Sequence, residues 1–190
     1  AAEKAEREKE EHEREEEERT REYRQDEQAA EVEVNNFRAS LHERGRNAST
    51  SKEGVWFIDV EEAKAGETVR LYYNVTAVGL QWTNVLYMKC GVEGWNPCAH
   101  EYIEMSKLEE LPESAGHPEL PKDHENQWFV GEVPIPDDAM VLDFVICTST
   151  VPHEAQYDNN GGADYAILIH GGTGDSSERW EKMIAERTIE

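Results

Sequence analysis

Two aromatic residues stand in turns that could set a flat ring against a ligand. Trp95 closes Gly91-Val92-Glu93-Gly94-Trp95-Asn96, directly after an apolar run at Val85 to Met88. Tyr157 opens Tyr157-Asp158-Asn159-Asn160-Gly161-Gly162-Ala163-Asp164-Tyr165, ahead of a second apolar run from Ala166 to Ile169. A buried ring would have little to pack against in such Gly- and Asn-rich turns, so both rings are expected at the surface, beside amide side chains. That combination suits a sugar. A hexose has apolar C–H faces and a rim of hydroxyls, so an aromatic plane covers the face while Asn, Lys or backbone groups satisfy the rim. Each ring would contribute about 1 to 3 kcal/mol, by analogy with the stacking of other flat ligands.

Other chemistries find less support. Cys90, Cys98, His100, His117 and His124 match no trusted metal-ligand spacing, so neither metal nor cofactor is expected. In a chain this acidic some carboxylates are adjacent by accident, and no pair stands out as a glycosidase dyad. Gly171-Gly172-Thr173-Gly174 lacks the Lys of a phosphate-cradling loop, and no serine sits in a nucleophile elbow. The chain therefore reads as a binding fragment and not as an enzyme. Of the remaining tryptophans, Trp56, Trp82 and Trp128 are assigned to core or half-exposed packing, with Trp128 as an additional sugar contact.

The elements that must position these residues differ sharply along the chain. Residues 1–46 are rich in Glu, Arg, Lys and Ala, with acid-first i,i+4 pairs such as Glu10/Arg14 and Glu17/Arg21, a pattern that supports a solvated single helix. Ala30, Val34, Phe37 and Leu41 form one apolar stripe at its end, which rests on the folded domain or on a protein partner or second copy through residues 30–41. Residues 47–53 read as a linker. From Val55 the period becomes that of strands, at Val55 to Val60, Thr68 to Asn74, Val85 to Met88, Gln127 to Ile135, Ala139 to Cys147 and Ala166 to Ile169. Asn96 to Asn126 reads as a long loop with one helix-like piece near Ile103 to Leu111. Ser176 or Ser177 caps a short C-terminal helix within residues 173–190. An all-β fold follows, an antiparallel immunoglobulin-like β-sandwich at residues 54–172 between a long charged helix and a short C-terminal one.

The net charge of -23 disfavours partners bound by neutralising phosphates or anionic lipid heads, so neither nucleic acid nor membrane is expected. Three cysteines cannot form a closed disulfide set, which favours a reducing compartment.

The motifs Val55-Trp56-Phe57-Ile58, Val69-Arg70-Leu71-Tyr72-Tyr73-Asn74, Gly94-Trp95-Asn96, Val133-Pro134-Ile135-Pro136-Asp137-Asp138-Ala139, Leu142-Asp143-Phe144-Val145 and Tyr157-Asp158-Asn159-Asn160, in this order, resemble the starch-binding modules of the starch synthase III type. Those form carbohydrate-binding module family 53, related to family 25. The resemblance implies a β-sandwich that binds α-1,4-glucan (starch, amylose, maltooligosaccharide) between two aromatic platforms, in a plastid, attached to a glycosyltransferase outside these residues. It places the platforms at Trp95 and Tyr157 and a hydroxyl-binding amide at Asn160, with Asn96 and Asn159 beside them. Where the family commonly has a His six residues before its first Trp, this chain has Lys89, whose ammonium also donates to hydroxyls.

Overall fold

A computed structural model describes residues 2–80, 84–109 and 127–189. The chain divides into two units, Leu41–Asp175 and Ala1–Ser40 with Ser176–Glu190. Trp82, His117 and His124, and the loop reading from residue 110 onward, lie outside the described residues.

The larger unit is mostly β, with ten described strands: β1 Ser51–Lys52, β2 Trp56–Ile58, β3 Ala63–Lys64, β4 Thr68–Asn74, β5 Val85–Val92, β6 Cys98–Lys107, β7 Trp128–Pro134, β8 Val141–Cys147, β9 Tyr157–Asp158 and β10 Tyr165–His170. They form one sheet in the order β1-β2-β4-β7-β6-β5-β8-β10-β3, with β9 on β8. Every pairing is antiparallel except β10 with β3. β6 is in backbone register with β7 at Ser106↔Val130 and Lys107↔Phe129, at one end of a ten-residue strand, and its His100 ring nitrogen Nε2 lies 2.7 Å from the Pro134 carbonyl of β7. The sheet curls over at that corner. Alternate residues of its two halves then close on one core: Val69, Leu71 and Tyr73 from β4 and Phe129 and Val133 from β7 join Leu86, Met88 and Cys90 from β5 and Leu142, Phe144 and Ile146 from β8. Period-two alternation is the reason, because successive strand side chains point to opposite faces.

Two expectations change here. Ile103 is no helix residue; it lies in β6, where Ile103↔Met88 and Met105↔Leu86 face inward while Tyr102 and Glu104 face outward, an alternation a helix could not maintain. The stretch read as a linker contains β1, whose Ser51 and Lys52 pair with Phe57 and Trp56.

Helix α1 (Ala2–Asn47), which belongs to the smaller unit up to Ser40 and to the larger one from Leu41, is solvated along its first half, where the ion pairs Lys4–Glu8 and Lys9–Glu13 run base-first, each at 3.6 Å. Its later stripe is covered by the chain itself. Ala30 and Val34 are buried, and Phe37 meets the edge of Trp180, centroids 6.4 Å apart, on the C-terminal helix Ser177–Ile189. Arg187 reaches Glu33 at 3.1 Å, and the Arg38 guanidinium lies 5.4 Å from the Trp180 ring centre. Ala30 and Val34 thus present no free surface, and the expectation that this stripe serves a protein partner or a second copy finds no support. Ser176 Oγ accepts the Arg179 N–H at 3.5 Å, which places the helix cap where the sequence suggests.

Candidate functional site

The Trp95 turn leaves β5 through three successive left-handed residues, Glu93 (φ 49°), Gly94 (φ 67°) and Trp95 (φ 67°). Only Gly adopts that region readily, so Glu93 and Trp95 must be held there by their surroundings. Two buried carboxylates do this. Glu93 Oε1 accepts the backbone N–H groups of Met140 and Val141 at 2.5 and 3.1 Å, and Asp143 Oδ2 accepts that of Gly94 at 2.7 Å. Asn96 closes the turn, its amide N–H donating to the carbonyls of Glu93 and Gly94. The donor end of Asn96, expected at a sugar rim, is thus used inside the turn.

The indole ring lies directly on Gly91. A Cβ placed there would stand 2.6 Å from Trp95 Cε3 and 2.7 Å from Cδ2, so any other residue would displace the ring. Its Nε1–H donates to Asp164 Oδ2 at 2.8 Å. Asp164 belongs to the loop that carries Tyr157, so one hydrogen bond joins the two aromatic turns.

That loop is tied at several points. β9 sets Tyr157 opposite Cys147 and Asp158 opposite Ile146. Asp158 Oδ2 accepts the phenol hydroxyls of Tyr73 and Tyr165 at 2.6 and 2.7 Å, which fixes the loop to β4 and β10. Burial first, and then the bond to Asp158, pushes both phenols up from their ordinary range, so both remain donors. Asn159 Oδ1 accepts the Gly162 N–H at 3.0 Å. Asn160 Nδ2 donates to the Asp164 carbonyl at 3.1 Å, and Asn160 Oδ1 accepts from Lys52 Nζ at 3.2 Å. An amide has two donor hydrogens and two acceptor lone pairs, so these bonds orient Asn160 and leave one of each for a ligand.

Strand register places both rings on one outer face. In β5, Leu86, Met88 and Cys90 point into the core, so Tyr87, Lys89 and Gly91 point out. Tyr87 is level with Cys147 and therefore with Tyr157; Lys89 is level with Val145, and Gly91 with Asp143. Four residues of rise separate Gly91 from Tyr87, about 13 Å along the strand. Lys89 falls between the level of the Trp95 ring and that of Tyr157. Its ammonium stands 5.3 Å from the centre of the Tyr102 ring, and Tyr102 meets Tyr87 edge-on at 6.2 Å. Tyr157 is 37% exposed. The face thus combines half-exposed aromatic rings with a cation and amides, which suits a neutral polyol with apolar faces.

Trp128 is not part of it. The ring is buried in a separate cluster with Phe57 and Tyr72, its centre 5.6 Å from that of Phe57, and it offers no face to a ligand. The sequence reading also missed Lys52, Asp158, Asp164, Tyr87 and Tyr102. Asp158 and Asp164 flank the Asn-Asn-Gly-Gly turn in the sequence, but which atoms they meet depends on strands far away. Burial pushes the Cys90 thiol up from its ordinary range, which keeps it an unreactive core residue. Cys98 Sγ lies 3.5 Å from the Cys90 carbonyl, and no group of three or more His, Cys, Asp or Glu among the described residues is arranged to hold a metal ion.

No protein-family model matches the chain. Among known proteins it is 29% identical over 142 residues to starch synthase 3, chloroplastic/amyloplastic, of Arabidopsis thaliana, covering 74% of this chain and 13% of that protein. It is 32% identical over 123 residues to soluble starch synthase 3a of Oryza sativa subsp. japonica, covering 65% and 6%, and 29% identical over 122 residues to soluble starch synthase 3 of Solanum tuberosum, covering 64% and 9%. A solved structure of a cycloalternan-forming enzyme from Listeria monocytogenes in complex with pentasaccharide substrate aligns over 66% of this chain and 10% of its own, with 10% identity and a TM-score of 0.36, a likeness too slight to bear on function. The chain spans about a tenth of the length of the relatives it matches, and over most of its own length it is related to a segment of starch synthase 3.

Proposed function

We propose that residues 54–172 form a non-catalytic carbohydrate-binding module of family 53, an immunoglobulin-like β-sandwich that binds α-1,4-glucan between Trp95 and Tyr157. The observation that carries this reading is the bond from Trp95 Nε1 to Asp164 Oδ2. It ties the two aromatic turns together on one sheet face, and a pair of rings held in fixed relation can follow the curve of a helical glucan. Asn160 and Asn159 serve the hydroxyl rim from one turn, Asn96 from the other through its carbonyl oxygen alone, since its donor end is used within the turn, and Lys89 from the strand between their levels.

Two stacked rings at about 1 to 3 kcal/mol each give weak binding by a single module. Weak binding suffices for an attachment device, because a tethered enzyme then works at a raised local concentration of its polymer. Within the parent protein the module attaches a starch synthase-like glycosyltransferase to starch. The relatives are named chloroplastic/amyloplastic, which supports a plastid as the compartment.

Retention on amylose, and titration with maltoheptaose, test the reading on the whole 190-residue chain. Trp95→Ala and Tyr157→Ala should each reduce binding at least about tenfold while circular dichroism stays that of wild type. Wild-type binding by both variants would overturn it.

A further inference from the structure

Asp143 is a fully buried carboxylate in the middle of an otherwise apolar strand. Oδ2 accepts the Gly94 N–H directly before Trp95. Oδ1 faces the guanidinium of Arg44 as its counter-charge and has no hydrogen-bond donor besides that ion pair among the described residues. Arg44 stands in the last turn of α1, and that turn is seated on the outer face of the sheet. Leu41 is buried, and a Cβ at Gly45 would stand 2.8 Å from Leu168 Cδ1 and 3.8 Å from Val141 Cγ2. Arg44 Nη1 would likewise lie 3.4 Å from a Cβ on Gly94. The end of the charged helix therefore reaches the turn that carries Trp95.

A buried charge that loses its partner is strongly disfavoured, and the site responds by moving, by admitting water or by taking up a proton. Each response alters the acceptor that Gly94 uses, and Gly94 and Trp95 are consecutive left-handed residues that need such support. We infer that Arg44 is a positioning residue of the glucan site, holding the Asp143 carboxylate beneath the Trp95 turn so that the indole stays seated on Gly91. This inference rests on the reading of Trp95 as a sugar platform. It makes the last turn of α1 part of the binding module.

The other charged groups around Asp143 act with or against Arg44. Glu93 and Asp164 repel its charge, and burial disfavours it, whereas the guanidinium and the Gly94 N–H favour it. The Cys90 thiol lies near on the core side. Among the described residues the cation that faces this carboxylate is Arg44, and its removal acts on the carboxylate.

The test compares maltoheptaose dissociation constants of the full chain as wild type, Trp95→Ala, Arg44→Met, Arg44→Lys and the double variant Arg44→Met/Asp143→Asn. The indole N–H resonance of Trp95 is recorded for each folded variant. Arg44→Met should weaken binding about tenfold, the order that loss of a supporting contact costs at other preorganised sites, and should shift the Trp95 indole resonance. Arg44→Lys should bind more tightly than Arg44→Met. The double variant, in which a neutral amide replaces the orphaned carboxylate, should recover part of the loss. Wild-type affinity and an unmoved indole in Arg44→Met would overturn the inference while leaving the site reading intact, provided Trp95→Ala loses binding. Retained binding in Trp95→Ala would instead overturn the site reading. Should Arg44→Met fail to fold, the Arg44→Lys and double variants decide: unchanged affinity and indole position in both count against Arg44.

Discussion

The Trp95 indole donates to the Asp164 carboxylate at 2.8 Å, across 69 residues of sequence and between two turns that contain left-handed non-glycine residues. Asp164 itself sits at φ 59°, its N–H bonded to the Asn159 carbonyl at 2.8 Å and its carbonyl to Asn160 Nδ2. One residue thus orients the expected hydroxyl-binding amide on one side and the indole on the other.

Asp164→Ala should therefore weaken maltoheptaose binding more than it weakens the fold. The lost bond is charge-assisted and partly exposed, so the expected stability change is about 1 to 2 kcal/mol. Isothermal titration beside urea denaturation checks this. An affinity equal to wild type would show that the link between the turns has no part in binding.

Gly91→Val places a side chain where the Trp95 ring lies, with Cβ contacts of 2.6 Å to Cε3 and 2.9 Å to the Trp95 Cα. Because the latter is backbone, the turn itself must shift, and overpacking of this kind costs about 1 to 3 kcal/mol. Glucan binding should fall to the level of Trp95→Ala. Thermal denaturation and amylose retention measured together check both parts.

Lys89 and Tyr102 are expected to act as a pair. The ammonium 5.3 Å from the Tyr102 centroid is held by the ring face, an interaction of about 0.5 to 1 kcal/mol at an exposed site. Lys89→Met and Tyr102→Leu should each weaken binding severalfold, and their combination should weaken it by less than the product of the two. Tyr102→Phe, which keeps the ring, should stay near wild type. A double-mutant cycle on maltoheptaose affinity measures the coupling. Full additivity would separate the two residues.

Asp143 sets a pH dependence of stability. Burial raises its carboxyl above the ordinary aspartate range, although Arg44 and the Gly94 N–H pull it back down. The folded state then binds more protons than the unfolded state between the ordinary value, about 3.9, and the raised one. Stability contributed by the protonated group is full below that window and is lost as pH rises through it. Asp143→Asn should remove this slope, and Arg44→Met should extend the decline to higher pH. Melting temperatures from pH 3 to 8 check the sign, and a wild-type curve that matches Asp143→Asn throughout would refute it.

The amino-acid sequence by itself determined what depends on local patterns. The alternation of Val69, Leu71 and Tyr73 makes a strand with one buried face. The Glu, Arg and Ala run makes a solvated helix, and Gly and Asn around Trp95 and Tyr157 make the turns that leave those rings half-exposed. Ser176 announces the C-terminal helix because capping is local chemistry. Tertiary structure decided whatever depends on register between distant strands. Trp128 resembled Trp95 as an aromatic at the edge of a strand, yet the pairing Asn74↔Trp128 carries it into a cluster with Phe57 and Tyr72. Ile103 looked helical because apolar spacing over a few residues does not separate the two periods, and pairing with Met88 resolved it. The stripe on α1 was legible, but not that Trp180 meets it. Likewise Asp143 was visible as one polar residue in an apolar run, while its role appears only where β8, the Trp95 turn and Arg44 converge. A hydrogen bond between residues 69 positions apart has no local signature, because the sheet, and not the intervening chain, brings its two ends together.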